Sequence, residues 1–292
     1  MAQPLNFGDL PRTRTDPKNA AIVIVPVAYD ATSTWIKGAQ RGPQAILQAS
    51  AHMELYDIET DSQVYEKGIF TDDIIEALSS PQKLVKTVAE KVRYHLSQNK
   101  FVVVVGGEHS VSIGSVRAHA DKYRGMCVLQ LDAHCDLRQK YEGSKYNHAC
   151  VMARVREICP IVQVGIRSMD FSEKAFMEKE NVFFAEDICR DRNWVRKVVS
   201  RLADNVYITV DLDVFDPSVM PSVGTPEPGG LSWYDVLTLM RTVCRRKNVV
   251  GFDVVELCPS QSSRASDFCA AKLIYKLLSY RFGESYDKKG FS

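Results

Sequence analysis

Six side chains of metal-binding type fall in three short clusters of this sequence. The clusters are Gly-Gly-Glu-His-Ser, Asp-Ala-His-Cys-Asp and Asp-Leu-Asp, and their metal-binding residues are His109, Asp132, His134, Asp136, Asp211 and Asp213. Four carboxylates and two imidazoles are more ligands than one tetrahedral zinc ion takes, and carboxylates at this density repel one another unless cations lie between them. The clusters therefore predict a site for two divalent metal ions.

The types of ligand indicate which metal the site would hold. Oxygen-rich sites with one or two imidazoles favour manganese over calcium or thiolate-bound zinc, with iron, cobalt and nickel as alternatives. Two ions roughly 3.5–4 Å apart can share a water molecule, lower its pKa and hold it beside an electrophilic carbon. We therefore expect two Mn²⁺ ions per subunit and a metal-dependent hydrolase.

Two residues outside the clusters have side chains suited to proton transfer or substrate binding. His148 follows the second cluster, and its imidazole suits a proton carrier near neutral pH; the alternative is a structural or helix-capping histidine. Glu256 ends an apolar run, where a buried carboxylate needs a partner. A substrate guanidinium would be a bidentate partner, and the alternative is an internal salt bridge.

Each cluster follows a short apolar run with the composition of a strand that is buried on both faces. Such runs occupy residues 21–27, 101–105, 126–131, 161–166, 206–210 and 249–255. Amphipathic helical patterns, including 81–98 and 193–203, lie between several of them and indicate βαβ units. The Pro- and Gly-rich segment 215–231 predicts a long ordered loop. In parallel α/β sheets ligands bind beyond the carboxyl ends of the strands, so we expect the clusters to meet there.

The composition is that of an ordinary globular protein, with 292 residues, 45% of them hydrophobic and 25% charged, and a net charge of +1. The balanced charge argues against nucleic-acid binding. The sequence contains no apolar run of about 18 residues, so it predicts no membrane span. The first seven residues lack a secretory signal pattern, which favours a cytoplasmic location. No change in composition marks a linker, so we expect one catalytic domain over residues 1–292.

Taken together, the three clusters and the motif Gly-Thr-Pro-Glu-Pro-Gly-Gly at residues 224–230 resemble the ureohydrolase family of arginases and agmatinases. Segments 26–43, 164–168 and 253–259 extend the resemblance over nearly the whole chain. It implies a three-layer α/β/α fold with a central, mostly parallel eight-stranded sheet. It also implies a homo-oligomer, either a trimer or a hexamer.

The resemblance also assigns roles to the candidate residues. One ion would be held by His109, Asp132, Asp136 and Asp211, and the other by Asp132, His134, Asp211 and Asp213. The implied reaction cleaves a guanidino compound to urea and a primary amine. In that reaction His148 would carry a proton to the departing amine, Glu256 would hydrogen-bond the guanidinium, and both residues would contact the substrate.

The tail of the guanidino substrate is harder to predict. Arginases carry Asn where this chain has Arg138, so the segment resembles the agmatinase branch and predicts agmatine, cleaved to putrescine and urea in polyamine biosynthesis. An ammonium tail needs acceptors, which Glu142 or Glu227 would supply. Arg138 would instead suit the carboxylate of arginine or 4-guanidinobutyrate, or pair with Glu142 on the surface. A non-catalytic protein with the same fold is the alternative from a different class.

Overall fold

The structure, a computed structural model, describes residues 5–76 and 78–283. Residues 1–4 and 284–292 of the predicted 1–292 domain lie outside the described residues. Residues 1–4 also belong to the N-terminal segment that lacks a secretory signal pattern. The strands are β1 Ile22–Val27, β2 Ile69–Thr71, β3 Phe101–Gly106, β4 Cys127–Leu131, β5 Ile161–Ile166, β6 Val182–Phe184, β7 Asn205–Asp211 and β8 Asn248–Val255. The helices are α1 Arg12–Thr15, α2 Gly42–Ser50, α3 Pro81–Ser97, α4 Val111–Lys122, α5 Val151–Val155, α6 Ala185–Ile188, α7 Trp194–Arg201, α8 Trp233–Arg246 and α9 Ala265–Phe282. Short 3₁₀ turns cover Phe7–Asp9, Ala39–Arg41, Val64–Lys67, His148–Cys150, Phe171–Phe176, Lys179–Asn181 and Leu212–Val214.

The eight strands form a single sheet with the order β2-β1-β3-β8-β7-β4-β5-β6. Every neighbouring pair is parallel, so the sheet is wholly rather than mostly parallel. Parallel neighbours cannot be joined by a tight hairpin, and helices α2 to α8 lie in the connections between strands, with α1 before β1 and α9 after β8. The four central strands are β3, β8, β7 and β4.

Side chains alternate along the strands between two helical layers. In β1, Ile22 and Ile24 belong to the core that includes α2, α8 and α9, whereas Val23 and Val25 pack with α3 and α4 on the opposite face. A strand that is covered on both faces needs apolar side chains at successive positions, which explains the continuous apolar runs. The predicted three-layer α/β/α fold is confirmed.

The six predicted runs correspond to six of the strands, and the sequence pattern predicts neither β2 nor β6. These two strands lie at the edges of the sheet and have only three residues each, so they leave too short an apolar run to recognise. The predicted helix at 81–98 is α3, which begins with Pro81 after Ser80, whose hydroxyl caps the helix by accepting the N–H of Lys83 at 3.2 Å. The predicted helix at 193–203 is the shorter α7.

Segment 215–231 is a loop, as predicted. A bridge between Phe215 and Leu231 closes its two ends, and the carboxylate of Asp216 accepts the main-chain N–H groups of Gly229 and Gly230 at 2.9 and 3.2 Å. These contacts give the loop an ordered shape beside the end of β7. Across the described ranges, no helix combines the length and apolarity needed to cross a membrane.

Candidate active site

The predicted site residues come together at the carboxyl ends of the four central strands. His109 follows β3, segment 132–136 follows β4, Asp211 ends β7 and Glu256 follows β8. Because β8 and β7 lie between β3 and β4 in the sheet, clusters that are far apart in sequence become neighbours in space. This is the edge at which parallel α/β proteins bind their ligands.

The imidazole of His109 lies among three carboxylates. Its Nδ1 is 3.1 Å from Oδ2 of Asp132, 3.0 Å from Oδ2 of Asp136 and 3.3 Å from Oδ2 of Asp211. All four residues are buried, and Nδ1 makes no hydrogen bond within the described structure. Donor atoms that approach one another this closely without hydrogen bonds are arranged like the ligands of a shared cation. One nitrogen with three carboxylate oxygens suits manganese.

A second group shares Asp132 with the first. Nδ1 of His134 is 2.9 Å from Oδ2 of Asp213 and 3.5 Å from Oδ1 of Asp132. Asp132 therefore directs Oδ2 towards His109 and Oδ1 towards His134. The donor atoms of His109, Asp132 and Asp211 all lie within 4.8 Å of one another, as do those of Asp132, His134 and Asp213. These residues fit two ions side by side with Asp132 between them.

The electrostatics of the clusters also favour bound cations. Burial and the nearby charge of Asp132 raise the pKa of Asp136 to about 7. Burial, together with Asp213 and Asp132, raises the pKa of Asp211 well above its usual range. Without a cation these carboxylates resist ionisation because they are desolvated and repel one another. A divalent ion between them would favour the charged forms, so the side chains present fit the two metals that the sequence predicts.

A buried hydrogen-bond chain sets the orientation of the His109 ring. Nε2 of His109 is 2.9 Å from the hydroxyl of Thr209, and that hydroxyl donates its single proton to Asp253 at 2.5 Å. The oxygen of Thr209 must therefore accept a hydrogen bond from Nε2–H of His109, which leaves the lone pair of Nδ1 facing the carboxylates. Asp253 also accepts the hydroxyl of Tyr207 at 2.7 Å.

Two buried amides hold the carboxylate of Asp132. Gln130 donates Nε2–H to Oδ2 of Asp132 at 2.7 Å, and Gln163 donates to Oε1 of Gln130 at 2.6 Å. The apolar runs predicted from the sequence contain these two glutamines and Thr209, and the sequence pattern predicts no role for them. A polar side chain inside an otherwise apolar strand was the available signal, since such a group must find a partner when buried.

Glu256 lies next to the metal-type residues in an unusual backbone conformation. Its φ of 67° is in the left-handed region, where a residue other than glycine is strained. Its N–H donates to the carbonyl of Gly107 at 2.7 Å, and its Oε1 accepts the main-chain N–H of His109 at 2.7 Å. No lysine or arginine among residues 5–76 and 78–283 forms an ion pair with Glu256, which argues against the internal salt bridge.

A buried carboxylate without a cationic partner resists ionisation. Burial, and then the nearby charge of Glu108, raise the pKa of Glu256 to about 8. Glu108 is itself fully buried, and its carboxylate accepts hydrogen bonds from Thr32 and Ser110. A guanidinium that entered the cavity would satisfy Glu256 and return it to its charged form.

His148 faces the same cavity as Glu256. Its Nδ1 is 3.9 Å from Oε1 of Glu256, and its Nε2 is 3.4 Å from the hydroxyl of Thr34. Burial lowers the pKa of His148 to about 4. That is below the near-neutral pKa expected for this histidine from the sequence. The ring is therefore neutral at pH 7 and able to accept a proton.

The turn after β3 depends on Gly107. A Cβ at this position would lie 2.1 Å from the carbonyl oxygen of Tyr29. Non-bonded atoms cannot approach one another this closely, so no side chain fits here. The main chain of Gly107 also accepts the N–H of Glu256 and donates to the carbonyl of Val27 at 2.9 Å. The glycine thus lets β1, β3 and β8 approach at the site.

A cavity of about 240 Å³ lies at the candidate site. Its lining includes His109, His134, Asp211, Asp213 and Glu256. The residues that line it from the loops after β4 and β5 are here called the outer wall, and they are Arg138, Tyr141, Asp170 and Glu173. The guanidinium of Arg138 lies 3.5 Å from Oδ2 of Asp170 and 4.7 Å from the centre of the Tyr141 ring.

The contacts of the outer wall differ from those considered for the sequence alone. Arg138 is paired with Asp170 rather than with Glu142, because the loops after β4 and β5 meet at the cavity. Glu142 is not among the residues that line the cavity. Oε1 of Glu227 lies 3.8 Å from Nε2 of the cluster residue His134.

Comparisons with known proteins agree with this geometry. The model of the arginase family matches residues 20–279. The N(1)-aminopropylagmatine ureohydrolase of Synechocystis sp. is 40% identical over 93% of this chain and 92% of that protein, and the agmatinase of Pyrococcus horikoshii is 32% identical over 92% and 95%. The crystal structure of agmatine ureohydrolase of Thermoplasma volcanium superposes with a TM-score of 0.84 at 31% identity, over 91% of this chain and 92% of that one. The resemblance found in the sequence is confirmed, and the chain belongs to the arginase family.

Proposed function

We propose that this protein hydrolyses the guanidino group of a small cationic substrate to urea and a primary amine. One observation carries the proposal: the buried carboxylate of Glu256 lacks a cationic partner among the described residues and opens onto the cavity that holds the paired histidine and aspartate groups. When bound, two divalent ions, for which we propose manganese, would activate water for attack on the guanidino carbon.

The proposed ligands follow the two groups of donor atoms. One ion would be held by His109, Asp132, Asp136 and Asp211, and the second by Asp132, His134, Asp211 and Asp213. The two oxygens of Asp132 point to different histidines, which supports its role as a bridge. For Asp136, the support is the 3.0 Å distance from its Oδ2 to Nδ1 of His109.

Glu256 would orient the substrate and His148 would move the proton. The carboxylate of Glu256 would accept two N–H groups of the guanidinium and hold its carbon beside the metal-type residues. His148, neutral at pH 7, would accept the proton released from the attacking water. It would then deliver that proton to the amine nitrogen as the carbon–nitrogen bond breaks, and the extra proton of the guanidinium would leave with the amine, so that urea and an alkylammonium ion are released.

We propose agmatine as the substrate, which would give putrescine and place the enzyme in polyamine biosynthesis. The charge of the outer wall supports a cationic tail, because Asp170 and Glu173 outnumber Arg138 and the guanidinium of Arg138 already lies beside Asp170. A substrate carboxylate would have to compete with Asp170 for that guanidinium. The name of the Pyrococcus horikoshii relative supports the same choice.

N(1)-aminopropylagmatine is the second candidate. Three relatives that bear the name N(1)-aminopropylagmatine ureohydrolase are 38–40% identical to this chain, whereas another of that name and the agmatinase of Pyrococcus horikoshii are each 32% identical. This substrate carries the same guanidino group on a longer cationic chain. The residues around Glu256 would therefore act on it in the same way.

A panel of four substrates tests these proposals. Urea release is measured with manganese-loaded protein and agmatine, N(1)-aminopropylagmatine, 4-guanidinobutyrate and arginine at one metal loading. We expect the first two to have the highest kcat/KM, and chelation to abolish release. A higher kcat/KM for either substrate with a carboxylate would overturn the cationic tail, and no urea from any of them would overturn the reaction.

Two further proposals concern the context of the enzyme. Arginase-family membership supports a homotrimer or hexamer, and light scattering at micromolar concentration would report three or six times the 32.8 kDa of the chain. A monomer would contradict that proposal. The cytoplasmic location remains a prediction from the sequence, and fractionation of cells that express the protein would test it.

A further inference from the structure

We propose that Thr32 is a positioning residue, which fixes His148 for proton transfer through a hydrogen-bond chain that begins at the buried carboxylate of Glu108. This inference rests on the role proposed above for His148. Neither Thr32 nor Glu108 lines the cavity. Both residues therefore act through His148 rather than on the substrate.

Glu108 is the anchor of the chain. Its carboxylate is fully buried at the end of β3, and its own N–H donates to the carbonyl of Tyr29 at 2.8 Å. Oε2 accepts the main-chain N–H of Thr32 at 2.6 Å, and Oε1 accepts the Thr32 hydroxyl at 2.5 Å and the Ser110 hydroxyl. Because both polar groups of Thr32 bind one carboxylate, the backbone and the rotamer of Thr32 are fixed together.

The hydroxyl of Thr32 carries the chain on to His148. Its single proton is donated to Glu108, so its oxygen is available as an acceptor, and the main-chain N–H of His148 donates to it at 3.0 Å. His148 is the first residue of the 3₁₀ turn His148–Cys150, whose leading N–H groups have no partner within the turn. The next of them, from Ala149, donates to the side chain of Asn147 at 3.0 Å. Thr32 thus completes the cap at the catalytic position.

The loop after β1, which contains Thr32, also approaches the imidazole of His148. Thr34 places its hydroxyl 3.4 Å from Nε2 of His148, while Nδ1 faces Glu256 at 3.9 Å. His148 lies between β4 and α5, outside any strand, so packing within the sheet does not set its position. The loop after β1 therefore holds His148 at its backbone and at its ring. Proton transfer depends steeply on such placement, since a shift of about 1 Å can cost about 100-fold in rate.

Matched substitutions of Thr32 test the inference. Thr32→Val removes the hydroxyl at almost constant volume, and Thr32→Ser keeps the hydroxyl. With the best substrate of the panel, we expect Thr32→Val to lower kcat by about 10-fold or more with KM and bound metal little changed, and Thr32→Ser to restore most of kcat. Thr32→Ala, which also lacks the hydroxyl, is the second variant should Thr32→Val fail to fold. Ser33→Ala is the control, because the buried Ser33 hydroxyl has no hydrogen-bond partner in the described structure, and we expect an unchanged kcat.

A double-mutant cycle separates positioning from a general structural role. In a His148→Ala background we expect Thr32→Val to change kcat by less than about 2-fold, because residues that act as one unit are not additive. An equal loss in both backgrounds would overturn the inference, as would an unchanged kcat for Thr32→Val in an enzyme that releases urea. Wild-type protein that releases no urea would overturn the proposed function instead, and the role of Thr32 with it.

Discussion

The main-chain N–H of His109 donates to Oε1 of Glu256 at 2.7 Å. This hydrogen bond directly joins a proposed metal ligand to the carboxylate proposed to bind the guanidinium. Their strands, β3 and β8, are neighbours at the centre of the sheet. The distance between the metals and the substrate carbon would thus be set by the sheet rather than by mobile loops, which is the arrangement that preorganised catalysis requires.

We predict that Glu256→Gln removes the charge that binds the guanidinium and leaves the metal-type residues in place. The loss of one partner of a buried charge pair costs about 2–5 kcal/mol, so kcat/KM for agmatine should fall by at least about 30-fold. Steady-state kinetics and the metal content of the same preparation measure both effects. The control is Glu186→Gln, since Glu186 is an exposed carboxylate on the surface. Wild-type kcat/KM in Glu256→Gln would refute the proposed contact.

Metal content should distinguish Asp132 from Asp213. Asp132 belongs to both groups of donor atoms and Asp213 to one. We therefore expect Asp132→Ala to lose both ions on dialysis and Asp213→Ala to keep one. Elemental analysis of each variant against protein concentration gives the number of ions per chain. Two ions retained in Asp132→Ala would show that this residue is not a bridge.

Gly107→Ala should damage both stability and activity. The new Cβ would lie 2.1 Å from the carbonyl oxygen of Tyr29, so the turn that carries His109 must shift, at a cost of about 1–3 kcal/mol. We expect a lower Tm and a loss of urea release. Gly125→Ala is the control: its φ of 71° also strains an added side chain, but nothing lies within 4 Å of the new Cβ, so its urea release should persist. Full activity of Gly107→Ala would contradict the close approach.

His119 should make stability depend on pH, independently of the metals. This residue of α4 is fully buried, and its Nδ1 donates to the carbonyl of Ser115 at 2.8 Å. Burial lowers the pKa of His119 to about 4. Below about pH 6.5 the unfolded chain binds a proton that the folded protein excludes, so this contribution to stability is lost as the pH falls from about 6.5 to 4.

Comparison of wild type with His119→Leu isolates that contribution. Between pH 7.5 and 5, the free energy of unfolding of wild type should fall by about 2 kcal/mol more than that of His119→Leu. Urea denaturation of metal-free protein at both pH values measures the difference. The same pH dependence in both proteins would show that His119 is not held neutral by burial.

The sequence predicts the layers of this fold better than the order of its strands. The apolar runs of the six longer strands are local features, and they reflect burial on both faces. The placement of β8 between β3 and β7 depends on pairing between distant segments, which no local pattern contains. That placement is what brings Glu256 beside His109.

The candidate site could be predicted where residue types cluster in sequence. The clusters of His109, Asp132 and Asp211 each follow a recognisable apolar run, and parallel strands place the ends of such runs together. The supporting residues Gln130, Thr209 and Glu108 lie within these runs and clusters without a pattern of their own, so only the structure reveals their partners. Arg138 shows the same limit. Its partner Asp170 comes from another loop, whereas Glu142, which is closer in sequence, is not its partner.

A manganese titration that follows bound ions and urea release together tests the two-metal site most directly. Metal-free protein is loaded stepwise, and the ions bound per chain are counted while urea release from agmatine and N(1)-aminopropylagmatine is measured. We predict that urea release reaches its plateau when two ions are bound per chain and is lost on chelation. Full urea release with a single ion bound, or with none, would contradict the two-metal hydrolase.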